Sequence, residues 1–138
     1  MNYGCVLLAD SHPPMLEGVR SLLQELFEAV VMVADEASLL RAAEQLKPEL
    51  AVVDVSLPLA GRVNVVSLLR ERYPELKVIA LSVHDEPLVA ERVISSGAAG
   101  FVLKRSAHSD LVTAVHEVLA GRTYVSPAVG MRRTVAAQ

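Results

Sequence analysis

Four side chains that could handle a hard cation or a phosphoryl group stand at the ends of short apolar runs. Asp10 follows Val6-Leu7-Leu8-Ala9, and Asp54 interrupts Leu50-Ala51-Val52-Val53-Asp54-Val55. Ser82 ends Val78-Ile79-Ala80-Leu81, and Lys104 follows Gly100-Phe101-Val102-Leu103. If a fold brought them together, two carboxylates would supply hard oxygen ligands for Mg²⁺. An ammonium and a hydroxyl would stabilise charge on phosphoryl oxygens. Each residue alone has a plainer reading. Asp10 could cap the following helix, Ser82 could serve a turn, and Lys104 could be a solvated surface charge. Asp54 is harder to set aside, because an unpaired carboxylate inside an apolar strand is costly. The functional reading therefore rests on their joint placement.

The elements that must position them are readable from periodicity. Apolar runs at 5–9, 29–34, 50–55, 78–82 and 100–103 are short, continuous and rich in β-branched residues, as expected of strands buried on both faces of a parallel sheet. Between them lie helical spacings: Leu16, Val19, Leu22, Leu23, Leu26 and Phe27; Leu39, Leu40, Ala43 and Leu46; Val65, Val66, Leu69 and Tyr73. Leu88, Val89 and Ile94, then Leu111, Val112, Val115, Val118 and Leu119, complete the series. Pro13 and Pro14 can open the first helix. Lys47-Pro48 and Tyr73-Pro74 close the second and third, and Gly97 and Gly121 suit the left-handed position just past a helix end. This alternation predicts an α/β fold, a flavodoxin-like (βα)5 doubly wound parallel sheet with strand order 2-1-3-4-5. In such sheets ligands bind outside the carboxyl ends of the strands, where strand order reverses. Asp10, Asp54, Ser82 and Lys104 all fall on that edge.

Composition sets the outer bounds. A chain of 138 residues, 52% hydrophobic, suffices for one domain with its own core. The apolar runs are far shorter than the roughly 20 residues of a membrane span, so no membrane association is expected. The start, Met1-Asn2-Tyr3-Gly4, lacks the pattern of a secretory signal. The single cysteine, Cys5, forms no intrachain disulfide and fits a cytoplasmic location, and its apolar surroundings predict a buried, unreactive thiol. A net charge of −3 and few aromatics argue against nucleic-acid binding by this chain itself.

The motifs Ala9-Asp10-Ser11-His12-Pro13, Asp54-Val55-Ser56-Leu57-Pro58, Ala80-Leu81-Ser82-Val83-His84 and Gly100-Phe101-Val102-Leu103-Lys104 resemble the landmarks of two-component response-regulator receiver domains. The His-Pro after the first acid, and the ending Leu119-Ala120-Gly121-Arg122-Thr123-Tyr124-Val125-Ser126-Pro127, resemble the NarL/LuxR-type subfamily in particular. The similarity covers residues 4–127 in register. It implies a receiver domain over 1–122 and a linker or tail over 123–138, leading in such proteins to a helix-turn-helix DNA-binding domain that this chain does not contain. It also implies that Asp54 accepts a phosphoryl group from the phosphohistidine of a sensor histidine kinase. Asp10, Asp54 and the backbone carbonyl of Ser56 would face Mg²⁺, Lys104 would pair with Asp54, and Ser82 would bind a phosphoryl oxygen. Phe101 would be the aromatic that changes rotamer as the switch operates, although ordinary core packing explains it equally well. The output would be transcription regulation, through a shifted equilibrium on the face of helix four, strand five and helix five or at a homodimer contact.

The sequence departs from that pattern in three places. Ser11 stands where the family usually has a second acid that binds the metal directly. A carboxylate about 4 Å from a cation contributes on the order of 4 kcal/mol at a surface-like dielectric, so a hydroxyl there weakens Mg²⁺ binding. The loop after Pro58 reads Leu59-Ala60-Gly61-Arg62, and Arg105 follows Lys104 where the wider family commonly has proline. Ser11 motivates an alternative reading, a pseudo-receiver that keeps the fold as an interaction module with little Mg²⁺-dependent phosphorylation. An enzyme on the same sheet fits poorly. Asp10-Ser11-His12-Pro13-Pro14 is a poor anion cradle, and no nucleophile-elbow or nucleotide glycine pattern is present. Ser82, His84 and Asp85 are too close in sequence to align as a hydrolytic triad.

Overall fold

Central strands that are apolar on both faces need a covering layer on each side. The computed structural model describes residues 3–12, 16–57 and 64–130, and it supplies those layers as helices. The order is β1 (Tyr3–Ala9), α1 (Glu17–Leu26), β2 (Phe27–Val33), α2 (Glu36–Leu46), β3 (Leu50–Asp54), α3 (Val65–Arg72), β4 (Lys77–Ser82), α4 (Pro87–Ser95), β5 (Gly100–Leu103), α5 (Ala107–Leu119) and β6 (Tyr124–Val125). A short 3-10 turn, Lys104–Ser106, joins β5 to α5. All pairings are parallel, in the order β2-β1-β3-β4-β5-β6. The expected 2-1-3-4-5 sheet is present, with one further strand on its outer edge.

Alternate residues of each strand serve opposite layers. Leu7, Ala51, Val53, Ala80 and Phe101 pack with Leu39 of α2, Leu69 of α3 and Val93 of α4. Val6, Leu8, Val52, Ile79 and Val102 pack on the other side with Leu23 of α1 and Leu111 and Val115 of α5. Most of these are fully buried, and each large aliphatic side chain so placed contributes roughly 1.5–3 kcal/mol relative to exposure. Gly100 is required by this packing, since a Cβ there would meet Ile79 at 3.0 Å and Val118 at 3.2 Å.

Helix ends follow the local chemistry. Asn64 caps α3 by accepting from the Ser67 N–H, and Asp35 caps α2 by accepting from the Ser38 N–H. Gly97 and Gly121, at φ +115° and +92°, terminate α4 and α5 in the left-handed conformation expected of them. Lys47 takes the same conformation after α2, at φ +46°. The predicted opening of the first helix at Pro13 and Pro14 lies outside the described residues, as does the loop departure after Pro58.

Two local expectations are corrected. Phe27 begins β2 instead of continuing α1, because it pairs with Tyr3 in the sheet and stacks against that ring at 5.3 Å. Cys5 is half-buried, not buried; burial foremost, and the nearby Glu49 carboxylate second, push its thiol pKa up, which keeps it unreactive. Residues 124–130, which the sequence assigns to the tail, are folded onto the domain. The Tyr124 and Ser126 N–H groups donate to Ala99 and Phe101 carbonyls at 3.0 and 2.8 Å. Ser126 is buried: its hydroxyl accepts from the Leu103 N–H at 3.0 Å and donates to Asp110 at 2.8 Å.

Candidate functional site

Strand order and register bring the four strand-end residues to one edge. β1 and β3 lie side by side at the reversal of strand order, with Ala9 opposite Val53, so Asp10 and Asp54 emerge together. Asp54 is opposite Leu81 on β4, and Ser82 opposite Leu103 on β5, which places Ser82 and Lys104 one step further along the same edge. Asp10 and Asp54 are buried, at 1% and 2% exposure.

Two buried carboxylates side by side repel unless a cation lies between them. Lys104 is that cation. Its Nζ donates to Asp10 Oδ2 and to Asp54 Oδ2, each at 2.8 Å, with only 16% of the side chain exposed. Ser56 holds the other oxygen of Asp54, its N–H donating to Oδ1 at 2.9 Å and its hydroxyl at 2.8 Å. Burial raises the Asp54 pKa, but the Lys104 and Ser56 hydrogen bonds outweigh it and hold the carboxyl below its ordinary value. Burial also lowers the Lys104 pKa, and the bonds to Asp10 and Asp54 more than reverse this, so the ammonium is held above its ordinary value. The centre thus consists of two carboxyl groups, Asp10 and Asp54, joined through one lysine ammonium.

Among the described residues Asp10 caps no helix: Leu16 occupies the N-cap of α1, and Asp10 Oδ1 accepts the His12 backbone N–H at 2.7 Å. Lys104 is not a solvated surface charge. Ser82 is fully buried, and its hydroxyl accepts from the His84 N–H at 2.9 Å while donating to the His84 carbonyl at 3.3 Å. Its single proton is therefore spent within its own loop, and Ser82 stands beside the acid pair without donating to it. Phe101 is fully buried in the core on the α2–α3–α4 side, the packing role that its position allowed. Arg105 reaches away from the carboxylates to Asp85, at 3.0 Å.

Sequence reasoning passed over one residue here. The ligand atoms of Asp10, His12 and Asp54 all lie within 4.8 Å of one another. His12 entered only as part of a subfamily pattern. The usable signal was a histidine two residues past a strand-end acid, where a tight turn folds it back over that acid. Ser11 Oγ lies 3.2 Å from His12 Nδ1.

An acid pair locked by one lysine at the switch point of a doubly wound parallel sheet defines the class: an α/β domain with its working edge at the strand carboxyl ends. The chain belongs to the response regulator receiver domain family, whose model matches residues 6–116. The transcriptional regulatory protein MctR of Rhizobium johnstonii is 33% identical over 128 residues, covering 90% of this chain and 59% of MctR. This chain therefore spans less than two thirds of that relative's length. A LuxR-family two-component response regulator from Aurantimonas sp. SI85-9A1 superposes with a TM-score of 0.83 at 27% identity, covering 96% of both chains. The isolated receiver domain of RcsB from Salmonella enterica serovar Typhimurium, solved in the presence of the phosphomimetic BeF3−, gives 0.81 at 25% identity, covering 95% of this chain and 98% of that one. The relatives are of the LuxR/NarL type the motifs resemble.

Proposed function

We propose that this receiver domain accepts a phosphoryl group on Asp54 from the phosphohistidine of a sensor histidine kinase. The observation that carries the reading is the bridge from Lys104 to both Asp10 and Asp54, which keeps Asp54 an anion inside the protein. An Asp54 carboxylate oxygen attacks phosphorus, the P–N bond of the donor breaks, and its electron pair returns to the imidazole nitrogen. Lys104 then pairs with the phosphoryl oxygens. Ser82 gives up its bond to His84 and donates to one of them, drawing the β4–α4 loop inward.

The donor set is consistent with Mg²⁺, because two carboxylates and a carbonyl supply hard oxygens, which this ion prefers. Asp10, Asp54 and the Ser56 carbonyl would hold it, and it would neutralise charge on the transferring group. The turn that carries Ser56 is tight, with the Leu57 N–H donating to the Asp54 carbonyl at 3.0 Å.

The output is proposed to be transcription regulation, the role that the name of the transcriptional regulatory protein MctR states for that protein, through a DNA-binding domain outside this chain. Residues 123–138 would lead to it, and a homodimer contact or the α4–β5–α5 face would carry the signal, with Phe101 as the aromatic that changes rotamer as the switch operates. The location is proposed to be cytoplasmic; among the described residues, no helix is long and apolar enough to cross a membrane.

Ser11 favours a second reading, a pseudo-receiver with weak Mg²⁺-dependent phosphorylation. Titrating Mg²⁺ into the wild type and Ser11→Asp separates the two. Ordinary affinity in the wild type supports the phosphoacceptor, whereas affinity that appears only in Ser11→Asp supports the pseudo-receiver.

A further inference from the structure

His12 has no task in the reading above, yet its ring stands over the acid pair. Its N–H donates to Asp10 Oδ1 at 2.7 Å, which closes the turn and sets Nδ1 3.5 Å from the same oxygen. We infer that His12 is a metal ligand, and that it biases the Asp10–Asp54 centre toward divalent ions that accept imidazole nitrogen, such as Co²⁺, Ni²⁺ or Zn²⁺, over Mg²⁺. The inference shares its two carboxylates with the phosphoacceptor reading and otherwise rests on His12 alone.

Geometry supports it. Metal–ligand bonds of about 2.1 Å place neighbouring ligand atoms about 3 Å apart and opposite ones about 4.2 Å apart. The 3.5 Å spacing falls in that range, and the 4.8 Å limit on the whole trio needs a closure of well under 1 Å. The His12 side chain is 64% exposed, so it can turn onto an ion without leaving a packed position. Asp10, in contrast, is buried and fixed by Lys104. One exposed and two buried ligands can adapt to the preferred geometry of a bound ion.

Charge supports it as well. With Ser11 in place of an acid, the centre carries two carboxylates and one ammonium. Mg²⁺ depends on oxygen charge and gains little from a neutral imidazole, whereas later first-row ions bind imidazole well. The substitution at position 11 therefore penalises Mg²⁺ most and leaves the nitrogen-accepting ions a ligand that they favour. Three protein ligands leave at least one coordination position for water or a phosphoryl oxygen.

The test is calorimetric titration of the whole chain with Co²⁺ and with Mg²⁺, paired with the visible absorption of bound Co²⁺ and the shifts of the His12 ring protons. The wild type, His12→Ala and Asp10→Asn are compared. The expected result is tighter binding of Co²⁺ than Mg²⁺ in the wild type, with His12 ring signals displaced by Co²⁺. His12→Ala should lose at least about tenfold in Co²⁺ affinity with little change for Mg²⁺, and Asp10→Asn should lose both. Co²⁺ affinity unchanged in His12→Ala overturns the inference, as does Co²⁺ binding that survives Asp10→Asn. Asp54 labelling that fails with both Mg²⁺ and Co²⁺ overturns the phosphoacceptor reading, whereas Co²⁺ affinity unchanged in His12→Ala overturns this one, so the two failures are distinguishable.

Discussion

Lys104 Nζ donates to Asp54 Oδ2 at 2.8 Å across fifty residues of sequence. The contact exists because β5 delivers Lys104, and β3 delivers Asp54, to the same end of one sheet. It converts a buried carboxylate from a liability into a usable anion.

Removing that cation should destabilise the fold. Breaking a fully buried ion pair costs about 3–5 kcal/mol, and Lys104 keeps 16% of its side-chain exposure. Lys104→Met is therefore expected to lose roughly 2–3 kcal/mol in urea unfolding. A loss below about 0.5 kcal/mol, the level of an ordinary surface change, would show that the bridge is not maintained in solution.

The pH dependence follows from the same pair. Asp54 has a folded pKa below its ordinary value of 3.8, so its stabilising contribution is present above 3.8 and is lost as pH falls through the folded value. Lys104 is held above its ordinary 10.5, so its contribution is complete below 10.5 and is lost as pH rises through the folded value. The stability of the wild type relative to Asp54→Asn should be constant near neutrality and fall in acid below 3.8. A relative stability that rises in acid would reverse the assigned sign.

Ser126 ties the segment after α5 to the sheet. Ser126→Ala leaves the Leu103 N–H without its acceptor and takes one donor from Asp110, at an expected cost of about 1–3 kcal/mol. Faster hydrogen exchange at the Leu103 amide should accompany it. Unchanged exchange there would mean that residues 124–130 do not stay docked.

Asn64, the N-cap of α3, accepts from the Ser67 N–H and donates to Ser96 Oγ at 3.0 Å. Asn64→Ala should cost about 1 kcal/mol through loss of the α3 cap. Asn64→Asp keeps the acceptor and should recover most of it. Equal losses in the two variants would place the stabilisation in the Ser96 contact instead.

Much of this was legible in the residues. Asp10, Asp54 and Lys104 stood out because each breaks or ends an apolar run, and a parallel sheet gathers strand ends at one edge. Phe27 misled because an aromatic four residues after Leu23 extends a helical pattern, while its real partner, Tyr3, lies far away in sequence. β6 was illegible for a different reason. Two residues carry no period, and that strand is held by backbone bonds to β5 and by the buried Ser126 hydroxyl. The nearness of His12 to the acid pair depends on a turn closed by its own N–H, which spacing alone does not reveal.

The central claim is that Asp54 is the phosphoryl acceptor, and the most direct measurement is mass spectrometry of the intact chain after incubation with a small phosphodonor and Mg²⁺. The wild type should gain one phosphoryl group, mapped to the peptide containing Asp54, and Asp54→Asn should gain none. Equal labelling of wild type and Asp54→Asn would contradict the account.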